Sequence, residues 1–201
     1  MKIKTYTSVY EKSWLECRVL AFLDTAYYDN VFRKKEQYDN PAIELVAIKD
    51  DRIIGLIDVE YESEPNSVCT GNNNKCGGMI WHLAVHPDYQ RQGIAWQLLK
   101  KVETIALEKG LAYLEVWTRD DPWVLNWYKR NGFTPIHSYL HVFLGGNQEV
   151  MNLASKLPDL QPVQAWAHYT GENEEMIRSA FQRVHRCTGF IKKVIENDSF
   201  Y

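Results

Sequence analysis

The chain has 201 residues, 45% of them apolar and 24% charged, the usage of a folded protein with one core or one core plus an elaborated tail. A formal net charge of -3 excludes bulk attraction to nucleic acid, which needs a basic excess or stripe. No uncharged apolar run approaches the roughly 18 to 20 residues of a membrane span, so a cytoplasmic protein acting off membranes is expected. Cys17, Cys69, Cys76 and Cys187 show no Cys-x-x-Cys spacing. Reduced thiols are expected and no metal site is assigned, although a bridge between Cys69 and Cys76 is left open.

In chain order, Lys2 to Thr7 alternates like a strand, and Ser8 with Glu11 and Ser13 with Glu16 each match a capping box ahead of a helix. Leu15, Val19, Phe22 and Leu23 would form its inner face. Asp24 to Asn40 reads as a connection rich in Tyr, Asp and Asn. Glu44 to Lys49 and Ile53 to Glu62 read as strands joined in a hairpin at Asp50-Asp51-Arg52. Ser63 to Gly78 is a polar loop, followed by an apolar strand from Met79 to Val85.

From Gly93 the period turns helical, with Leu98, Leu99, Val102, Ile105 and Ala106 on one stripe and Gly110 closing the helix. A strand from Ala112 to Thr118 follows. A helix then begins at Pro122, capped by Asp120 or Asp121, and stops at Asn131-Gly132 before a strand opening at Phe133. Strand-helix-strand units give parallel neighbours and hairpins antiparallel ones, so a mixed α/β sheet with helices on its faces is expected. Residues 1–146 would form this domain and residues 147–201 a C-terminal extension, docked or a small accessory unit. That tail reads as a helix over 147–157, a strand over 163–169 and a helix over 173–184.

The stretch Leu83-Ala-Val-His-Pro-Asp-Tyr-Gln90-Arg-Gln-Gly-Ile-Ala95 carries the most chemistry. A buried strand runs into Pro87 and delivers small residues at the start of an amphipathic helix, whose first four amides have no internal partner. With the helix dipole and Arg91 beside them, those amides suit an anion. Later, the helix expected from Pro122 leads into Gly132-Phe133, with Tyr128 five residues before the Phe.

Gln90-x-x-Gly93-x-Ala95 after Val85 and Pro87 resembles the coenzyme A signature of the GNAT superfamily of N-acetyltransferases, and the helix with Tyr128 is similar to that family's later motif. The fold this implies is a mixed, mostly antiparallel sheet with helices on both faces. The resemblance further implies an acetyl-CoA cosubstrate, held by the backbone of Leu83, Ala84 and Val85 and of Gln90, Arg91, Gln92, Gly93, Ile94 and Ala95. Tyr128 would protonate the departing thiolate, and Arg130 on the same helix either reaches the adenosine 3′-phosphate or stays solvated. Ala95 stands where glycine is commoner. Asp121 stands where many members have asparagine; a carboxylate cannot donate to a pantetheine carbonyl, so capping is expected of it. A β-bulge near Leu83 to Val85 is implied, freeing an amide for the thioester oxygen.

The implied activity is direct acetyl transfer to a primary amine of a small molecule or peptide by a monomer or homodimer. Glu60 is the candidate base, with His82 behind it. Asp58, Glu60 and Glu62 share a strand face by their spacing, and Tyr27, Tyr28 and Asp29 lie on the connection that often covers the acceptor site in the resembled family; such a lining favours a cationic amine, a solvated acidic face being the alternative. A non-catalytic coenzyme A sensor and an interaction module using exposed rings such as Trp166 are the alternatives.

Overall fold

A computed structural model describes residues 1–71, 74–151, 153 and 157–194. Its strands are β1 Lys2–Thr5, β2 Ala42–Lys49, β3 Arg52–Tyr61, β4 Gly77–Val85, β5 Tyr113–Thr118, β6 Thr134–Gly145, β7 Gln164–Tyr169 and β8 Arg183–Lys193. Its α-helices are α1 Glu11–Phe22, α2 Ile94–Glu108, α3 Pro122–Arg130, α4 Asn147–Val150 and α5 Glu174–Ala180. The strands form one sheet in the order β1-β2-β3-β4-β5-β8-β6-β7, with only β4 and β5 pairing parallel.

β2 and β3 are joined through Asp50 and Asp51, both left-handed at φ 51° and 57°. Two positive φ values in a two-residue loop match the right-handed twist of the flanking strands, which is why this short turn closes a hairpin. The β4-β5 crossover is α2. Its C-terminus is closed by bonds from Leu111 N to Ala106 O and from Gly110 N to Leu107 O, with Gly110 at φ 74°. That is the Schellman arrangement, and the glycine removes its steric cost.

The sheet is covered on both sides. Ile57, Val59, Leu114 and Val116 meet Leu98, Leu99 and Val102 of α2 on one face, joined there by Tyr128 of α3. Val46, Leu56 and Ala84 meet Trp14 and Cys17 of α1 on the other. At the far end Leu140, Val142 and Leu144 of β6 pack with Val150, Ile177 and Phe181. The loop before β4 is tied down by two buried carboxylates. Glu62 accepts from the amides of Val68, Cys69 and Gly77, and Glu115 from Thr70 N, Thr70 Oγ1 and Gly71 N.

Several expectations need correction. The capping boxes do not form: α1 starts at Glu11 with no side-chain cap, Ser13 Oγ accepts instead from Ile53 N, and Glu11 Oε1 from Lys35 N. Tertiary partners outcompete the local ones. The buried face of α1 is Trp14, Cys17 and Arg18, while Leu23 is exposed. All four cysteines are free thiols.

In the tail, the helix expected over 147–157 is the single turn α4, with residues 152 and 154–156 outside those described. The helix expected over 173–184 ends at Ala180, and the chain turns into β8, which sequence pattern did not show. β8 lies inside the sheet, between β5 and β6. The expected division at 146/147 therefore separates strands that hydrogen-bond to one another; residues 195–201 lie outside those described.

Candidate active site

β4 and β5 are paired only from Gly77 to Ile80 and from Tyr113 to Val116, although β4 runs on to Val85. The register between β3 and β4 steps from Asp58–His82 to Val59–Ile80, which leaves Trp81 as the extra residue of a bulge. A bulge bends its strand and raises the local twist, so β4 leaves β5 at that point. The bulge was expected at Leu83 to Val85 and lies two residues earlier. Between the parted strands opens a cleft of about 450 Å3 walled by Ile80, His82, Leu83, Val116, Thr118 and Tyr128. On the side away from β3, the edge of β4 beyond Ile80 thus flanks a cavity and not a neighbouring strand.

β4 leads through a 3-10 turn, Pro87–Tyr89, to the start of α2. Gln90, Arg91, Gln92 and Gly93 are exposed, with Arg91 at φ 58° and Gly93 at φ 76°. No side chain caps α2, and the first intrahelical bond runs from Gln97 N to Gly93 O at 3.0 Å. The amides of Ile94, Ala95 and Trp96 precede it and remain donors without a capping side chain. Only Gln97 Nε2, at 3.9 Å, approaches the place where a Cβ of residue 93 would sit. This open turn, with a fifteen-residue helix behind it, has the free donors and the room that an anion needs. Ile94 is buried beneath it, and Gly55 of β3 leaves the room: a Cβ there would lie 2.7 Å from Ile94 Cγ2.

Tyr128 is 5% exposed, packed between Trp127, Phe133 and Phe190, and its ring lines the cleft. Burial pushes its phenol well above the usual tyrosine range, so it holds its proton at neutral pH. The inward faces of Val124 and Leu125 carry α3 against the same core.

The model of the acetyltransferase (GNAT) family matches residues 6–133, well over half of the chain. The chain belongs to this family. It is an acyltransferase of the kind that takes its acetyl group from acetyl-CoA. Solved structures share its fold. The ribosomal-protein-S18-alanine N-acetyltransferase from Escherichia coli is 12% identical, with TM-score 0.57 over 100% of this chain and 98% of that one. An aminoglycoside 6′-acetyltransferase type Ii is 15% identical, with TM-score 0.56 over 98% and 99%. A GNAT acetyltransferase from Elizabethkingia anophelis with acetyl-CoA bound is 16% identical, with TM-score 0.53 over 96% and 97%.

In this GNAT chain the residues expected at the cosubstrate are brought together along β4 and the α2 turn. Leu83 and Val85 are half-buried, and Ala84 points into the core under α1. Val85 O accepts from Gln90 Nε2 at 3.2 Å, which braces the turn against the strand. Arg130 is exposed in the last turn of α3 with no ion pair to another described residue. Asp121 does not cap α3. Both its oxygens accept from Ala26 N, at 3.2 and 3.0 Å, which pins the connection after α1 to the start of α3. Asp120 accepts from Arg186 N and pairs with His185.

The acidic face expected on β3 does not line the cleft. Asp58 is fully buried against Lys35 at 2.9 Å, and Glu62 ties the loop. Glu60 accepts from Asn40 N, Asn40 Nδ2 and Trp81 Nε1, at 3.0, 2.9 and 2.8 Å. Partial burial works against its ionised form, but these bonds outweigh it and hold its carboxyl below the usual range. Glu60 is thereby committed to holding Asn40 and the bulge residue.

A different carboxylate stands in the wall. Arg18, 2% exposed, donates from Nε to His82 Nδ1 at 3.3 Å, from Nη1 to Asn30 O at 2.7 Å and from Nη2 to Asn30 Oδ1 at 2.9 Å. A guanidinium can only donate, so Nδ1 accepts and the imidazole proton sits on Nε2, which donates to Glu36 Oε1 at 2.5 Å. The Tyr38 hydroxyl lies 3.1 Å from that same oxygen and 3.1 Å from Asp58 Oδ2, and its one proton serves one of them at a time. Burial disfavours the Glu36 charge, yet the bonds from His82 and Tyr38 and the Arg18 charge win, and its carboxyl is held below the usual range. Glu36 Oε2 has no partner among the described residues. Glu36 and His82 both line the cleft. Sequence reading passed over Glu36 because it lies in the irregular connection, 46 residues from the histidine it meets.

Proposed function

We propose that the chain moves an acetyl group from acetyl-CoA to a primary amine by direct attack in a ternary complex. The observation that carries this reading is the parting of β4 from β5 at the Trp81 bulge, with the uncapped start of α2 at one end and Tyr128 in its wall. The open turn at Gln90 to Ala95 fits a diphosphate, and the free flank of β4 from Trp81 to Val85 fits an extended amide-bearing arm. When bound, acetyl-CoA supplies a thioester carbon open to a neutral amine.

The protein's own groups then divide the work. A main-chain amide of the bulged stretch, on the edge of β4 turned from β3, donates to the carbonyl oxygen in this reading. As the C–N bond forms and the C–S bond breaks, the buried Tyr128 hydroxyl is the proton source for sulfur. Glu36, ionised at neutral pH and held by the His82 bond, receives the proton that the amine nitrogen must lose, directly or through one water. His82 is a positioning residue here, with Arg18 fixing its tautomer. Adding this cation-binding carboxylate to the cleft favours an amine acceptor.

The test is thiol release from acetyl-CoA with a panel of primary amines. Direct transfer gives intersecting initial-velocity lines, and Glu36→Gln lowers kcat/KM on the order of 10²-fold while acetyl-CoA affinity holds. Parallel lines would replace direct transfer with a covalent enzyme intermediate.

A further inference from the structure

One face of the sheet carries a run of rings that the chemistry above does not use. Side chains alternate along a strand, so Tyr139, His141 and Phe143 of β6 share a face, as do Trp166 and His168 of β7. The registers His141–His168 and Phe143–Trp166 place them side by side. Tyr139 and His168 have ring centroids 4.2 Å apart, His141 and His168 5.2 Å, and His141 and Trp166 5.0 Å at 27°. Trp117 of β5 continues the run, 5.4 Å from Tyr139. The alternate residues Leu140, Val142 and Leu144 are the ones that pack under α5. On the ring face α1 covers β3 and β4, but among the described residues no helix covers β6 and β7.

Tyr139, His141, Trp166 and His168 line the same cleft as Glu36 and Tyr128. Two observations point to a ligand there. Trp166 is 68% exposed, a large ring left to water at the mouth of a cavity. His141 is only 4% exposed, and its Nε2 is buried with no hydrogen-bond partner among the described residues. Buried polar atoms are nearly always paired, so this nitrogen lacks a partner that the described residues do not supply.

We propose that these rings form the acceptor subsite, and that it selects an amine carried on a short arm from a flat ring that bears a hydroxyl. This rests on the acetyl-transfer reading of the same cleft. The ring lies against Trp166 and Tyr139, and its hydroxyl meets His141 Nε2. A hydroxyl both donates and accepts, so it serves either imidazole tautomer. The amine end turns toward Glu36, since the other carboxylate of the wall, Asp121, is occupied by Ala26 N. Arg119 stands in the wall as well, stacked 4.2 Å over Tyr27, and disfavours an acceptor with a second cation. The rings share the sheet face of α1, whereas α2 packs on the opposite face, so the subsite is separate from the nucleotide end.

The test compares tyramine, 2-phenylethylamine and hexylamine, by thiol release from acetyl-CoA and by calorimetric binding to the full chain. The expected order of kcat/KM and of affinity is tyramine, then phenylethylamine, then hexylamine, each step roughly tenfold, as one hydrogen bond or one stacked ring supplies. His141→Phe keeps a ring but no nitrogen and should collapse the tyramine-to-phenylethylamine ratio toward one. Trp166→Ala should collapse the ratio of both to hexylamine. Equal binding of the three amines, or ratios that neither variant moves, would overturn the subsite. A ring preference in binding with no thiol release from any amine would keep the subsite and overturn acetyl transfer.

Discussion

Tyr128 and a phenylalanine differ by one hydroxyl in a site already lined by Phe133 and Phe190, so the substitution leaves the ring packing intact and removes only the proton donor. Tyr128→Phe should lower kcat on the order of 10²-fold with acetyl-CoA affinity unchanged, measured by steady-state kinetics beside equilibrium binding. An unchanged kcat would take Tyr128 out of the reaction. His141 gives a prediction about stability. Burial, followed by the nearby Arg119 charge, depresses its imidazole to about 4, while an unfolded histidine titrates near 6.5. Between those values the unfolded chain binds more protons. Stability is therefore fully present above the unfolded value, falls as pH drops from about 6.5 to about 4, and levels off below, by about 1–3 kcal/mol. Chemical denaturation across this range should show the fall, and His141→Phe should flatten it.

At the level of elements, the turn into α2 depends on Gly93 at φ 76°, where an L side chain costs roughly 1–2 kcal/mol. Gly93→Ala should weaken acetyl-CoA binding several-fold and lower the melting temperature, read by calorimetry and thermal unfolding. Unaltered affinity would place the diphosphate elsewhere. This turn was legible in sequence because everything it needs is local: a strand, Pro87, a polar turn and a glycine within a few residues of one another. The same holds for the Asp50-Asp51 hairpin and the Gly110 stop. What was not legible is what depends on distant partners. Ser13 has a capping neighbour in sequence but gives its oxygen to Ile53 N, and Arg18 meets His82 from 64 residues away. β8 was hidden because Arg183 to Lys193 mixes basic residues, a threonine and Gly189, and follows an apolar spacing that continues the α5 pattern. Gly189 is there for Trp117, whose ring would lie 2.7 Å from a Cβ at that position.

At the scale of the molecule, the sheet is continuous only because β8 pairs with β5 on one side and β6 on the other. A chain ending after Gln182 would bare two strand edges beside the cleft, and bare edges seek other chains. That truncated protein should lack a cooperative thermal transition and elute as aggregate in size-exclusion chromatography. A folded, monomeric product would mean that residues 1–182 hold their sheet without β8.

The same central strand sets a schedule during synthesis. Everything from the β2-β3 hairpin to α3 leaves the ribosome while the place between β5 and β6 is still vacant. Only when the residues through Lys193 have cleared the exit tunnel can the gap close. The nascent chain is thus committed to a waiting period with sticky borders, during which chaperones have reason to attend it.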